Sequence, residues 1–106
     1  MAAAPQPPLI PDPDSFLHEL ARLRLLVLLS ALKRADFVYL LRQSGLSRGN
    51  LSVQMTKLAE AGYVEIEKSF VDKRPRTVYA LTPKGRTALR EYKSEMTALL
   101  DALPDS

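Results

Sequence analysis

Between Ala21 and Leu32 the chain reads ARLRLLVLLSAL, apolar almost all the way round a helical wheel and interrupted only by Arg22, Arg24 and Ser30. A helix of this kind is stable in water only when other elements enclose it, so it marks the centre of a core. It falls short of the roughly 18 uninterrupted apolar residues that a bilayer requires, and its arginines count against insertion. The whole chain has 106 residues, enough to bury about two thirds of its unfolded surface as one soluble globular domain.

The elements around that helix follow from local signals. Five prolines fall within residues 1–13 and remove backbone donors there, so that stretch is expected to be a flexible arm, with the folded domain over residues 14–106. Asp12-Pro13 and Asp14-Ser15 both offer helix starts, predicting a short first helix to about Leu20. Whether it runs straight on into the apolar helix is left open by periodicity. Lys33 and Arg34 suit a helix C-terminus, and Asp36 can cap a new helix, DFVYLLRQ, that stops at Gly45. Ser47 caps the next, which should continue to Ala61 before Gly62.

The period then changes. Val64 and Ile66 alternate with Glu65 and Glu67, as in a half-buried strand over Tyr63 to Phe70. VDKRPR reads as a turn, and TVYAL as a returning strand with Tyr79 and Leu81 on one face. Thr82-Pro83 opens a last helix, residues 83–103, about 30 Å long. The expected fold is therefore mainly α with a small β-hairpin, an α+β winged helix-turn-helix with a long C-terminal helix.

On a helical wheel, Leu51, Met55 and Leu58 share the core side of helix 47–61. Gly49, Asn50, Val53, Thr56 and Lys57 lie opposite, Ser52 and Gln54 flank them, and Arg48 sits in the first turn. Such a surface suits a major groove, where Arg pairs with guanine, Asn or Gln with adenine, and Val touches a thymine methyl. Taken alone, it is equally the solvated face of a core helix. The hairpin adds weight to the first reading: Lys68, Lys73, Arg74 and Arg76 gather around one turn against Asp72, a charge excess suited to phosphates or a narrow minor groove. The net charge of +3 is in keeping with an anionic partner.

The stretch GLSRGNLSVQMTKLAEAGYVEIEKSFVDKRPRTVYALTPKGRTAL resembles the small winged-helix transcriptional regulators of bacteria and archaea related to the MarR and ArsR types. The most specific parts are Leu51-Ser52, KLAEAGYVE (Lys57 to Glu65), RPRTVYALT (Arg74 to Thr82) and TPKGRTAL (Thr82 to Leu89), and the likeness extends over about Asp14 to Leu100. It implies a dimeric repressor or activator that binds double-stranded DNA, with Arg48, Gly49, Asn50, Ser52 and Gln54 at family positions that commonly face DNA. Gln54, where many relatives have histidine, and Val53, often polar or basic, depart from the common pattern. The full set of expected DNA-contacting residues adds Val53, Lys57, Lys73, Arg74 and Arg76.

Leu89, Tyr92, Met96, Leu99 and Leu103 form a heptad-like seam along the last helix, longer than a core of this size needs. A second copy of the chain is the expected cover for this seam and Leu100, joined by Phe16, Leu17 and Leu20. Folding back on its own domain, or docking a different protein, are the alternatives. Nothing points to catalysis, cofactor or metal. Cysteine is absent, the scattered glycines make no phosphate loop, and His18 is the single histidine, expected to be a surface or structural group. The start MAAAPQPPLIPDPD lacks a basic segment followed by an apolar one, so a cytoplasmic, nucleoid-associated protein is expected, with no membrane contact.

Overall fold

The computed structural model of the chain describes residues 13–105, so the expected arm lies, but for Pro13, outside the described residues. Among the described residues four helices, α1 (Leu20–Leu32), α2 (Phe37–Ser44), α3 (Arg48–Glu60) and α4 (Pro83–Asp101), accompany three strands, β1 (Arg34–Asp36), β2 (Val64–Val71) and β3 (Arg74–Leu81). The strands form one antiparallel sheet in the order β1-β3-β2.

The first helix expected before α1 is absent: residues 15–18 form a single turn. The Asp14 carboxylate accepts from the Phe16 amide at 2.8 Å, and the Asp14 carbonyl from the His18 amide at 3.1 Å. A fresh start follows at Glu19, whose side chain accepts from the amides of Ala21 and Arg22 and so caps α1. The capping carboxylate interrupts what periodicity left open.

β1 is the other departure. The sequence pattern suggests a two-stranded hairpin, but Lys33 takes a positive φ (69°) at the end of α1 and turns Arg34–Asp36 alongside β3. Three residues are too few to show an alternating pattern, and only Ala35 among them is buried. The hairpin turn is also tighter than VDKRPR implied. Asp72 and Lys73 alone make it, both at positive φ (52° and 64°), the twist that lets two strands join through two residues. Arg74, Pro75 and Arg76 thereby belong to β3.

The core is built from one side of α1 (Leu25, Leu26, Leu29), Leu40 of α2, and Leu51, Met55 and Leu58 of α3, closed by Val64, Tyr79 and Tyr92. Each fully buried leucine contributes about 1.5–3 kcal/mol. Leu17, expected in an intermolecular seam, is instead part of this core, because the turn after Asp14 folds it inward. Contrary to its apolar circumference, α1 is enclosed on one side only among the described residues: Leu20 and Val27 are exposed.

Two glycines decide how α3 and α4 are hung on this core. Gly45 ends α2 in the left-handed region (φ 70°), which allows α3 to restart after three residues. Gly85 lies under the Tyr63 carbonyl, where the Thr82 hydroxyl accepts from its amide at 3.0 Å and donates to the Gly62 carbonyl at 2.6 Å. One threonine thus caps α4 and ties its start to the end of α3. A methyl group at residue 85 would collide with the Tyr63 carbonyl oxygen and lie 2.8 Å from Leu81 Cδ1. Gly85→Ala is therefore expected to lower stability by about 1–3 kcal/mol, as overpacking does; an unchanged denaturation midpoint would contradict this packing.

Candidate nucleic-acid interface

α3 begins where the Ser47 hydroxyl accepts from the Asn50 amide at 3.1 Å, satisfying one of the free donors of the first turn. The turn before it is fixed by the Ser44 hydroxyl, which accepts from the Leu46 amide at 3.2 Å. Leu51, Met55 and Leu58 point into the core, as the wheel predicts. Arg48, Gly49, Asn50, Ser52, Val53, Thr56 and Lys57 are exposed, so the outer surface of the helix is small and polar but for the apolar Val53. The Arg48 guanidinium lies 5.8 Å from the centre of the Phe37 ring, a cation–π contact that draws it toward the start of α2.

Gln54 does not belong to that surface. It is 8% exposed, its Oε1 accepts from Arg22 Nε at 3.1 Å, and its Nε2 donates to Asn50 Oδ1 at 3.3 Å. The expectation that it contacts bases is thereby corrected: a buried charged donor on α1 holds its side chain inward. A single helix wheel cannot show this, since Arg22 is 32 residues away in sequence.

The hairpin carries Lys68, Lys73, Arg74 and Arg76 exposed, as charge counting suggested. Arg76 comes within 3.8 Å of the Asp36 carboxylate on β1, a loose and solvent-exposed pair. Toward the base of the hairpin, Glu67 is matched by Arg34 at 2.6 Å, which offsets one of the hairpin's three acidic groups, Glu65, Glu67 and Asp72. Near the tip, Phe70 stands opposite Pro75 and is 76% exposed, an apolar projection among the basic side chains that charge counting passes over.

Between α3 and the sheet lies a cleft of about 300 Å³, lined by Ser52, Thr56, Lys68, Thr77 and Tyr79 beside Phe37 and Ile66. Four of these residues carry hydroxyls and one an ammonium, side chains of the kinds that hydrogen-bond phosphate oxygens. Burial pushes the Tyr79 phenol above its usual value, so it stays a neutral donor near pH 7. Thr77 and Tyr79 were missed as polar contacts because, read along a strand, they count only as β-formers. Their register opposite Lys68 and Ile66 is what brings them to face α3.

A second, apolar feature lies on the far side of the core. Leu23 and Val27 of α1 and Leu89, Met96 and Leu100 of α4 line an open groove of about 830 Å³, edged by Arg86, Arg90 and Lys93. Of the residues expected in an intermolecular seam, Leu20, Leu100 and Leu103 are exposed, while Leu89, Met96 and Leu99 are half-buried. Tyr92 is buried, and its hydroxyl lies 2.7 Å from His18 Nδ1. Phe16 is engaged within the chain, edge-on to Tyr63 at 5.9 Å and beneath the Arg22 guanidinium at 4.2 Å.

Comparison with known proteins gives the same outline. The family described as the winged helix DNA-binding domain matches residues 21–100. An uncharacterised protein of Methanocaldococcus jannaschii is 37% identical over 82 residues, 77% of this chain and 89% of its own. The structure of a transcriptional regulator homologue from Pyrococcus horikoshii superposes with a TM-score of 0.79 at 29% identity, covering 85% of this chain and 89% of that one. A MarR-family transcriptional regulator from Silicibacter pomeroyi does so with a TM-score of 0.62 at 26% identity, covering 82% and 57%.

Proposed function

Because the chain belongs to the winged helix DNA-binding domain family of transcriptional regulators, which are not enzymes, we propose that it acts as a homodimer that binds double-stranded DNA sequence-specifically. α3 lies in the major groove and presents Arg48, Gly49, Asn50, Ser52, Val53 and Lys57 to it. The hairpin brings Lys73, Arg74 and Arg76 to the backbone or the minor groove. The cleft between them, with Ser52, Thr56, Lys68, Thr77 and Tyr79, takes a phosphate of the intervening backbone. The observation that carries this reading is the exposure of the outer face of α3 directly beside a basic hairpin, across a cleft of hydroxyl groups. Its place of work is the cytoplasm, at the nucleoid.

The dimer rests on what one copy leaves uncovered. α1 is apolar on a side that the described residues do not enclose, and α4 carries Leu89, Met96 and Leu100 to the same groove. A second copy, related by a two-fold axis, covers both at once and sets two α3 helices about 34 Å apart, one turn of duplex. Tyr92 serves this arrangement from within, by holding the chain before α1 against α4 through His18, while Leu17 and Phe16 pack inside the same chain.

Fluorescence anisotropy with random duplex DNA at increasing salt checks the first claim. Binding should weaken steeply with salt, and Arg74→Ala should reduce the slope of log K against log salt by about 1 while weakening all sequences alike. Absence of binding at low salt, or indifference to salt, would refute it. Sedimentation checks the second: the chain of 11.8 kDa should run at twice its mass, and Leu100→Glu, at a residue 56% exposed in one copy, should yield a folded monomer. A monomeric parent chain would instead favour a docking module for a different protein.

A further inference from the structure

We propose that the buried Arg22–Gln54 pair fixes the polarity of the Asn50 side-chain amide, so that α3 offers DNA a set hydrogen-bond donor at this position. The inference rests on the reading of α3 as the base-facing helix and names what orients one of its contacts.

The polarity follows from which groups can only donate. A guanidinium has five N–H donors and no acceptor. Arg22 Nε lies 3.1 Å from the Gln54 side chain, so the atom facing it must be Oε1. The Gln54 amide nitrogen is then the end turned toward Asn50, and an NH2 group again only donates, so the Asn50 atom at 3.3 Å must be Oδ1. The Asn50 Nδ2 is left at the outer end, on an exposed residue. Turning the Asn50 amide over would set NH2 against NH2. Turning both amides would leave Arg22 Nε facing a donor at a site where both Arg22 and Gln54 are only 8% exposed.

The Arg22 guanidinium is itself held in two further ways: its Nη1 donates to the Phe16 carbonyl at 2.7 Å, and it stacks over the Phe16 ring at 4.2 Å. Gln54 is thus a positioning residue that acts through Asn50, and the turn at residues 15–18 serves the interface by supplying the carbonyl that anchors Arg22. An outward NH2 favours bases with a major-groove acceptor, such as guanine O6 and N7 or thymine O4. It disfavours cytosine, which offers only its N4 donor there.

Gln54→Glu tests this by reversing the polarity. A carboxylate at residue 54 still accepts from Arg22 but also presents an acceptor to Asn50, which then turns its Nδ2 inward and its Oδ1 out. Selection from a random duplex pool, read by sequencing, is run with the full-length parent chain, Asn50→Ala, Gln54→Glu and the double variant Asn50→Ala/Gln54→Glu. Asn50→Ala identifies the base pair that depends on residue 50. At that pair, Gln54→Glu should shift the selected base toward cytosine by about tenfold, with preferences elsewhere unchanged. The shift should vanish in the double variant. The added negative charge lowers affinity for all sequences alike and leaves their ranking intact. Gln54→Met, which keeps the volume and removes the link, should weaken discrimination at the same pair without reversing it. An unchanged preference in both Gln54 variants, or a shift that persists without Asn50, overturns the inference while leaving α3 as the DNA-facing helix. If the parent chain selects no sequence at all, the sequence-specific reading of α3 fails, and this inference with it.

Discussion

The structure depends on α1 being apolar on two sides while the described residues cover only one. Leu25, Leu26 and Leu29 take up the covered side and fix α2, α3 and the sheet around them. Leu20, Val27 and half-buried Leu23 are left facing outward, and α4 adds its own apolar residues to the groove there. Apolar surface in water is unfavourable in proportion to its area, so the same helix that organises the monomer also creates the demand for a partner.

The proposed interface is held from both ends by short polar contacts. Ser47 caps α3 after the left-handed turn at Gly45, and Thr82 joins the chain after α3 to the start of α4. The hairpin leaves directly from that junction, so the position of its basic tip relative to α3 is set by Gly62, Tyr63 and Thr82 rather than by the tip itself. β1 adds to this by pairing with the other edge of β3, which gives the hairpin a third strand at its base while its far half projects free.

Much of this was legible in the sequence because it is local. The caps at Asp36, Ser47 and Thr82 fall where their side chains and the following apolar spacing put them, and the core face of α3 follows from a wheel. What sequence reasoning missed depends on distant partners or on segments too short to show a period. Gln54 lies on the flank of the helix by spacing, and only Arg22, brought from α1, draws it inside. Leu17 looks like one more seam residue until the turn at Asp14 folds it into the core. β1 has three residues and exists because β3 has a free edge. Asp72-Lys73 forms a tight hairpin turn with neither glycine nor asparagine, so turn composition gave no sign of its length.

In the proposed complex two copies of α3, held apart by the α1–α4 contact, enter successive major grooves of one duplex. Hydroxyl-radical footprinting on a duplex selected by the chain measures this most directly. The account predicts two protected segments whose centres lie about 10 base pairs apart, related by two-fold symmetry, on one face of the helix. A single protected segment, or protection spread evenly around the duplex, would contradict it.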